Sequence, residues 1–123
     1  MSKPLAVVYY ANLMPGSQVA NKLQDLGYRV LALTDMAGLA SMCQKEKPFL
    51  VVAEIMPAAA ALAAIGQLKL DAATQHIPVL GYSTAQDPAL QAQATDAGVS
   101  LLAGTAAISE HLARLLDQIL QVE

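Results

Sequence analysis

Five short apolar segments constrain the fold of this chain more than any other feature, because none of them alternates between apolar and polar residues. They span residues 5–9, 29–33, 49–53, 78–82 and 99–103, and turn-forming residues bound them. A continuous apolar run such as residues 50–53 is typical of a strand that is covered on both faces of a parallel sheet. We therefore predict five buried strands with helices packed on both sides.

The segments between the strands carry a helical period. Residues 58–70 and 88–97 are rich in alanine and other good helix formers. Apolar residues recur at three- and four-residue spacing in the other three segments: Val19, Leu23 and Leu26, then Met36, Leu39 and Cys43, then Ile108, Leu112, Leu115 and Ile119. Five βα units with short connections predict an α/β, doubly wound (βα)5 sandwich that forms one domain over residues 1–123.

Composition excludes several classes of function. Hydrophobic residues make up 55% and charged residues 14% of the chain, so we expect a folded domain. The net charge of −3 offers no basic footprint for nucleic acid or an anionic membrane. We find neither a signal peptide nor an apolar run of membrane-spanning length, and the single cysteine, Cys43, favours a reducing compartment. We expect a cytoplasmic protein that binds neither nucleic acid nor membranes.

Polar side chains cluster at the predicted carboxyl ends of the strands, where sites lie in parallel α/β sheets. Tyr9 and Tyr10 end the first strand, Glu54 follows the third, Ser83 follows the fourth and Thr105 follows the fifth. These residues are the candidate site.

Three segments of the chain resemble response-regulator receiver domains, the CheY-like signalling modules. They are residues 47–57 (KPFLVVAEIMP), 76–84 (HIPVLGYST) and 96–99 (DAGV), in the order and at the spacing of that family. The resemblance implies a flavodoxin-like fold with strand order 2-1-3-4-5. It also implies a role in two-component signalling, in which a histidine kinase transfers a phosphoryl group to an aspartate of the receiver.

The residues that carry the receiver's chemistry are changed in this chain. Tyr9 and Tyr10 stand where the family has the acidic pair that holds magnesium, and Thr105 stands where it has a lysine. The acceptor position falls on Glu54 or on Ala53, depending on whether one counts from Pro48 or back from Met56-Pro57, and Ser83 keeps the family's hydroxyl. Neutral phenols are poor magnesium ligands, and without the cation the transferred oxygens lack charge neutralisation. We expect no catalytic residues, metal or cofactor, and no enzymatic activity.

The preferred hypothesis is a degenerate pseudo-receiver that binds a signalling protein, or a second copy of itself, without phosphorylation. Its predicted contact surface lies on the fourth helix, the fifth strand and the last helix. The candidate contact residues are Leu90, Gln91, Ala94, Leu102 and His111, where Leu102 also stands in place of the family's switch aromatic. Two alternatives remain open: a small-ligand-binding or enzymatic flavodoxin-like domain, and a weakly phosphorylatable receiver.

Overall fold

A parallel sheet of five strands lies at the centre of the computed structural model, which describes residues 4–11, 13–35, 38–56, 58–84 and 87–120. The strands are β1 (Leu5–Tyr9), β2 (Arg29–Leu33), β3 (Leu50–Glu54), β4 (Val79–Ser83) and β5 (Leu101–Gly104). Their order in the sheet is β2-β1-β3-β4-β5. The predicted fold class and strand order are confirmed.

The last three strands begin later than the apolar runs predict. Phe49 is half exposed at the entry to β3, with its backbone N–H donating to the Leu5 carbonyl. The Val99 N–H donates to the carbonyl of Ala94, so residue 99 still belongs to the end of the preceding helix. As a result Glu54 and Ser83 are the last residues of their strands rather than the residues that follow them.

Within the described residues, six helices connect and follow the strands: α1 (Leu13–Asp25), α2 (Leu39–Glu46), α3 (Ala58–Leu70), α4 (Pro88–Ala97), α5 (Thr105–Glu110) and α6 (Leu112–Leu120). The predicted last helix is divided at His111, whose backbone leaves the helical conformation at φ −128° and ψ 30°. Met36, predicted in the second helix, lies outside the described residues. No helix within the described ranges is long and apolar enough to span a membrane.

Apolar side chains bury both faces of the sheet, as predicted. Alternate strand residues such as Val7 and Val51 pack with α2, α3 and α4, and Cys43 is buried in this cluster. Their neighbours, such as Val8 and Val52, pack with α1, α5 and α6 on the other face. We call these the α2–α4 face and the α1–α6 face. Burial on both faces explains why β1, β3 and β4 contain so few polar residues.

Lys69, near the end of α3, joins three elements at the amino-terminal edge of the sheet. Its ammonium group donates to the carbonyls of Ile77 at 2.7 Å and Gln75 at 3.2 Å, in the segment that leads to β4. Its methylene stem lies against Gly98, which ends α4 with φ +110°. A side chain at residue 98 would be strained by that φ and would collide with the lysine stem.

Candidate functional site

The register of the sheet brings the candidate residues to one edge, at the carboxyl ends of the strands. Tyr9 is paired with Ala53, Glu54 with Tyr82, and Ser83 with Gly104. Tyr10 follows β1 directly, and Thr105 is the first residue of α5. The residues predicted from separate strand ends therefore meet in one region.

Side chains at this edge alternate between the two faces. The side chains of Tyr9 and Ala53 lie on the α2–α4 face. Ser83 lies on the same face, because Gly81 is paired with Ala53 and Ser83 is two residues further along β4. Glu54 is two residues after Val52, which packs on the α1–α6 face, so the Glu54 side chain lies on that opposite face. Of the two candidates for the acceptor position, Ala53 is the one that shares a face with Tyr9 and Ser83.

Glu54 is almost fully buried, with 6% of its surface exposed. Its Oε1 accepts a hydrogen bond of 2.8 Å from the backbone N–H of Ala11, in the loop that leads into α1 at Leu13. The amino-terminal end of a helix favours negative charge, and anions bind there through backbone N–H groups. Here a carboxylate of the protein itself holds that amide.

Tyr9 is buried and acts as a hydrogen-bond donor. Its hydroxyl donates to the carbonyl of Met56 at 3.0 Å, which ties the end of β1 to the segment after β3. Burial raises the pKa of Tyr9, and the nearby carboxylates of Glu54 and Asp35 raise it further. The phenol is therefore neutral at physiological pH.

Tyr10 is half-buried and packs against α1. A Cβ atom on Gly16 would lie only 2.2 Å from Cγ of the Tyr10 ring, so the ring and the helix backbone are in close contact. The two tyrosines thus fill the end of β1 with ring surface.

Tyr82 belongs to the site but was not identified from the sequence. It is fully buried on the α1–α6 face, and its hydroxyl has no hydrogen-bond partner among the described residues. Burial is the main cause that raises the pKa of Tyr82, and the charge of Glu54 adds to it. The available signal was an aromatic residue inside a predicted buried strand, directly before the candidate Ser83.

The donor set at this edge does not fit the magnesium ion that a working receiver holds. Magnesium prefers charged, hard oxygen ligands in octahedral geometry. Tyr9 offers a neutral phenol already bonded to Met56, Ala53 offers no side-chain ligand, and Glu54 lies on the other face. Within the described residues, no group of three or more His, Cys, Asp or Glu side chains could hold a metal ion.

The predicted contact surface needs correction. Leu90, Ala94 and Leu102 are at most 9% exposed and pack in the core of the α2–α4 face. Leu90 and Ala94 are one helical turn apart, so both point from α4 into the core. Only Gln91 and His111 of the predicted set are exposed and accessible to a partner.

A shallow cavity of about 300 Å³ lies away from this edge. It is lined by Ser100 and Leu101 at the start of β5 and by Gln118 and Ile119 near the end of α6. It shares no residue with the candidate site.

Comparison with solved structures identifies the fold. The chain superimposes on a response regulator from Thermotoga maritima with a TM-score of 0.85 and 18% identity, covering 98% of this chain and 99% of that one. The chemotaxis response regulator CheY4 of Vibrio cholerae gives a TM-score of 0.86 at 18% identity, covering 97% and 100%. A putative response regulator from Chloroflexus aurantiacus gives 0.88 at 13% identity, covering 98% and 100%.

The chain therefore has the fold of response-regulator receiver domains over nearly its whole length, and the resemblance seen in the sequence is confirmed at that level. No protein-family model matches the sequence, and no curated protein sequence matches it significantly.

Proposed function

We propose that this chain is a pseudo-receiver: a cytoplasmic, non-enzymatic module of a two-component pathway that binds a signalling protein without being phosphorylated. The receiver fold supports the first part of this proposal. The proposed independence from phosphorylation rests on one observation: polar side chains at the carboxyl edge are already hydrogen-bonded within the chain. The Tyr9 hydroxyl donates to the Met56 carbonyl, and the Glu54 carboxylate accepts from the Ala11 N–H.

Phosphoryl transfer depends on positive charge that neutralises the transferred oxygens. The described basic residues do not supply it, because none of them directly follows the carboxyl end of a strand. The residue at the start of α5 is Thr105, which carries no charge. The carboxylates near Tyr9 at this edge are those of Glu54 and Asp35, and negative charge repels an incoming phosphoryl group.

Glu54 supports a signalling state that does not change with phosphorylation. In this structure its carboxylate joins the end of β3 to the loop before α1. Because this hydrogen bond is made by the chain itself, it holds the edge in one arrangement, whereas a phosphoryl group would come and go. The module would then present the same surface to its partner at all times.

The test is an amide NMR titration of the labelled protein with magnesium, then with beryllofluoride or acetyl phosphate. A receiver that has the acidic pair, the aspartate and the lysine serves as the positive control. We expect the control to shift and this chain to show no saturable shift at Glu54, Ser83 or Thr105. Saturable shifts that need magnesium would refute the proposal and establish a phosphorylatable receiver.

A matched variant separates the role of the Glu54 charge from that of its hydrogen bond. Glu54→Gln keeps an acceptor for the Ala11 N–H and removes the negative charge. We expect this variant to keep the fold and still give no magnesium-dependent shift, because the ligand set remains deficient. Magnesium-independent binding of a small anion by the wild-type chain would instead favour a ligand-binding domain.

A further inference from the structure

The outer edge of β2 is the more exposed of the two edges of the sheet, because its residues are less buried than those of β5. Of its five residues, Arg29 is the only charged one, and no proline interrupts the strand. Natural edge strands usually carry inward-facing charges, prolines or bulges that prevent pairing with another chain. Val30, Leu31 and Leu33 are each only partly buried within the chain.

The hydrogen bonds of β2 show which backbone groups face outward. The Arg29 N–H donates to the Pro4 carbonyl at 2.8 Å, and the Leu33 carbonyl accepts from the Tyr10 N–H at 3.1 Å. Odd-numbered residues of β2 therefore face β1. Since backbone direction alternates along a strand, the N–H and C=O groups of Val30 and Ala32 face away from the sheet. Within the described residues no strand pairs with that side.

We propose that β2 pairs antiparallel with β2 of a second copy, which gives a two-fold symmetric dimer with one continuous sheet. In the register that places Leu31 opposite Leu31 of the second copy, Val30 lies opposite Ala32. Val30 and Ala32 both have N–H and C=O groups that face away from the sheet, so each Val30–Ala32 pair forms two N–H···O=C bonds between the copies. If the register shifts by two residues in either direction, Val30 or Ala32 lies opposite its own copy. The other of these two residues then no longer lies opposite Val30 or Ala32 of the second copy.

The charges of the strand fit the same register. Arg29 lies opposite Leu33 of the second copy, which places it diagonal to the second copy's Asp35, two residues beyond Leu33. Diagonal neighbours on one face of an antiparallel pair are within reach of long side chains. Arg29 and Asp35 are both exposed, and the symmetry produces the pair twice. The strand thus complements itself in hydrogen bonding and in charge.

The dimer is independent of the proposed function, because β2 is at the opposite side of the sheet from β4 and β5. Sedimentation equilibrium of the full chain up to millimolar concentration tests it. Ala32→Pro removes an outward N–H without breaking a bond to β1, and Ala32→Ser is the control that keeps the N–H. We expect wild type and Ala32→Ser to dimerise, and Ala32→Pro to dimerise at least about tenfold more weakly.

Charge reversal and hydrogen exchange test the register. Arg29→Glu should weaken the dimer, and the double variant Arg29→Glu/Asp35→Arg should restore it. The amides of Val30 and Ala32 should gain protection from exchange as protein concentration rises, while that of Leu31 stays protected throughout. A monomer at every concentration, or a dimer that Ala32→Pro leaves unchanged with Val30 and Ala32 unprotected, would overturn the proposal.

Discussion

The α2–α4 face and the α1–α6 face of the sheet both bury apolar side chains, but each also buries one tyrosine near the carboxyl edge, and the two hydroxyl groups differ in their hydrogen bonding. On the α2–α4 face the Tyr9 hydroxyl has a partner, the Met56 carbonyl. On the α1–α6 face the Tyr82 hydroxyl has none among the described residues, although Tyr82 is more deeply buried. Apolar burial thus defines the fold on both faces, while the two buried tyrosine hydroxyls differ in whether they are hydrogen-bonded.

The largest expected effect tests whether both faces are true cores. Leu68→Ala on the α2–α4 face and Leu23→Ala on the α1–α6 face should each lower the free energy of unfolding by about 2–5 kcal/mol. Both side chains are fully buried. Leu70→Ala is the control, because that side chain is 87% exposed and its loss should change stability by less than about 0.5 kcal/mol. Chemical denaturation measures all three, and a small loss at only one core position would show that its face is loosely packed.

The next effect concerns the close contact between α1 and Tyr10. Gly16→Ala should destabilise the fold by about 1–3 kcal/mol, because the added methyl group meets the base of the Tyr10 ring. Gly66→Ala in α3 is the matched control, since nothing lies within 4 Å of its added Cβ. That control should stabilise the protein by up to about 1 kcal/mol through helix propensity. Gly16→Ala should cost less in a Tyr10→Ala background than in the wild type, and an equal cost in both backgrounds would contradict the contact.

Removing the hydroxyl of Tyr82 sharpens the comparison of the two faces. Tyr82→Phe should raise the free energy of unfolding by about 1–2 kcal/mol, because a buried hydroxyl without a partner loses its hydration for no gain. Thermal and urea unfolding would measure the change. A destabilised variant would mean that the hydroxyl is bonded in solution.

The same change on the other face should have the opposite sign. Tyr9→Phe removes the hydrogen bond to the Met56 carbonyl and should cost about 1 kcal/mol. Tyr9→Phe and Tyr82→Phe form a matched pair, because each variant removes one phenolic hydroxyl and nothing else. Equal effects of the two changes would remove the difference that we draw between the faces.

The smallest effect is a loss of stability at alkaline pH. Burial raises the pKa of Tyr82 above its ordinary value of 10.0, so the folded state binds that proton more tightly than the unfolded state. Its contribution is fully present below about pH 10 and is lost as pH rises further, by somewhat less than about 1 kcal/mol at pH 10.5. Unfolding between pH 9 and 10.5, compared with Tyr82→Phe, would isolate it. An identical pH dependence in both proteins would count against a raised pKa.

Much of the fold could be predicted because it depends on the pattern of apolar residues along the chain. A run such as residues 50–53 has no polar face, so it must be covered on both sides, and the βα alternation then leaves few topologies. The candidate edge followed from the strand ends, since parallel strands all end on one side. These inferences need only the spacing of residue types.

The details of the site could not be predicted in this way. The bond from Ala11 to Glu54 depends on how a loop closes over a strand end, and a shift of one residue at the start of β3 changes which residue ends it. The buried hydroxyl of Tyr82 depends on what lies around it in three dimensions. The spacing of Leu90 and Ala94 indicates a shared face of α4, but only the packing of the helix shows that this face points into the core.

The position of Lys69 also bears on how this chain can change in length. Its ammonium group holds two carbonyls of the segment between α3 and β4, while its stem fills the space beside Gly98. Surface loops normally tolerate added residues well. In this loop, however, one side chain holds two backbone carbonyls in place, and this restricts the number of residues that the loop can contain. Insertions between Asp71 and Ile77 should therefore be rare in relatives that keep this lysine, and loss of the lysine should free that segment to vary.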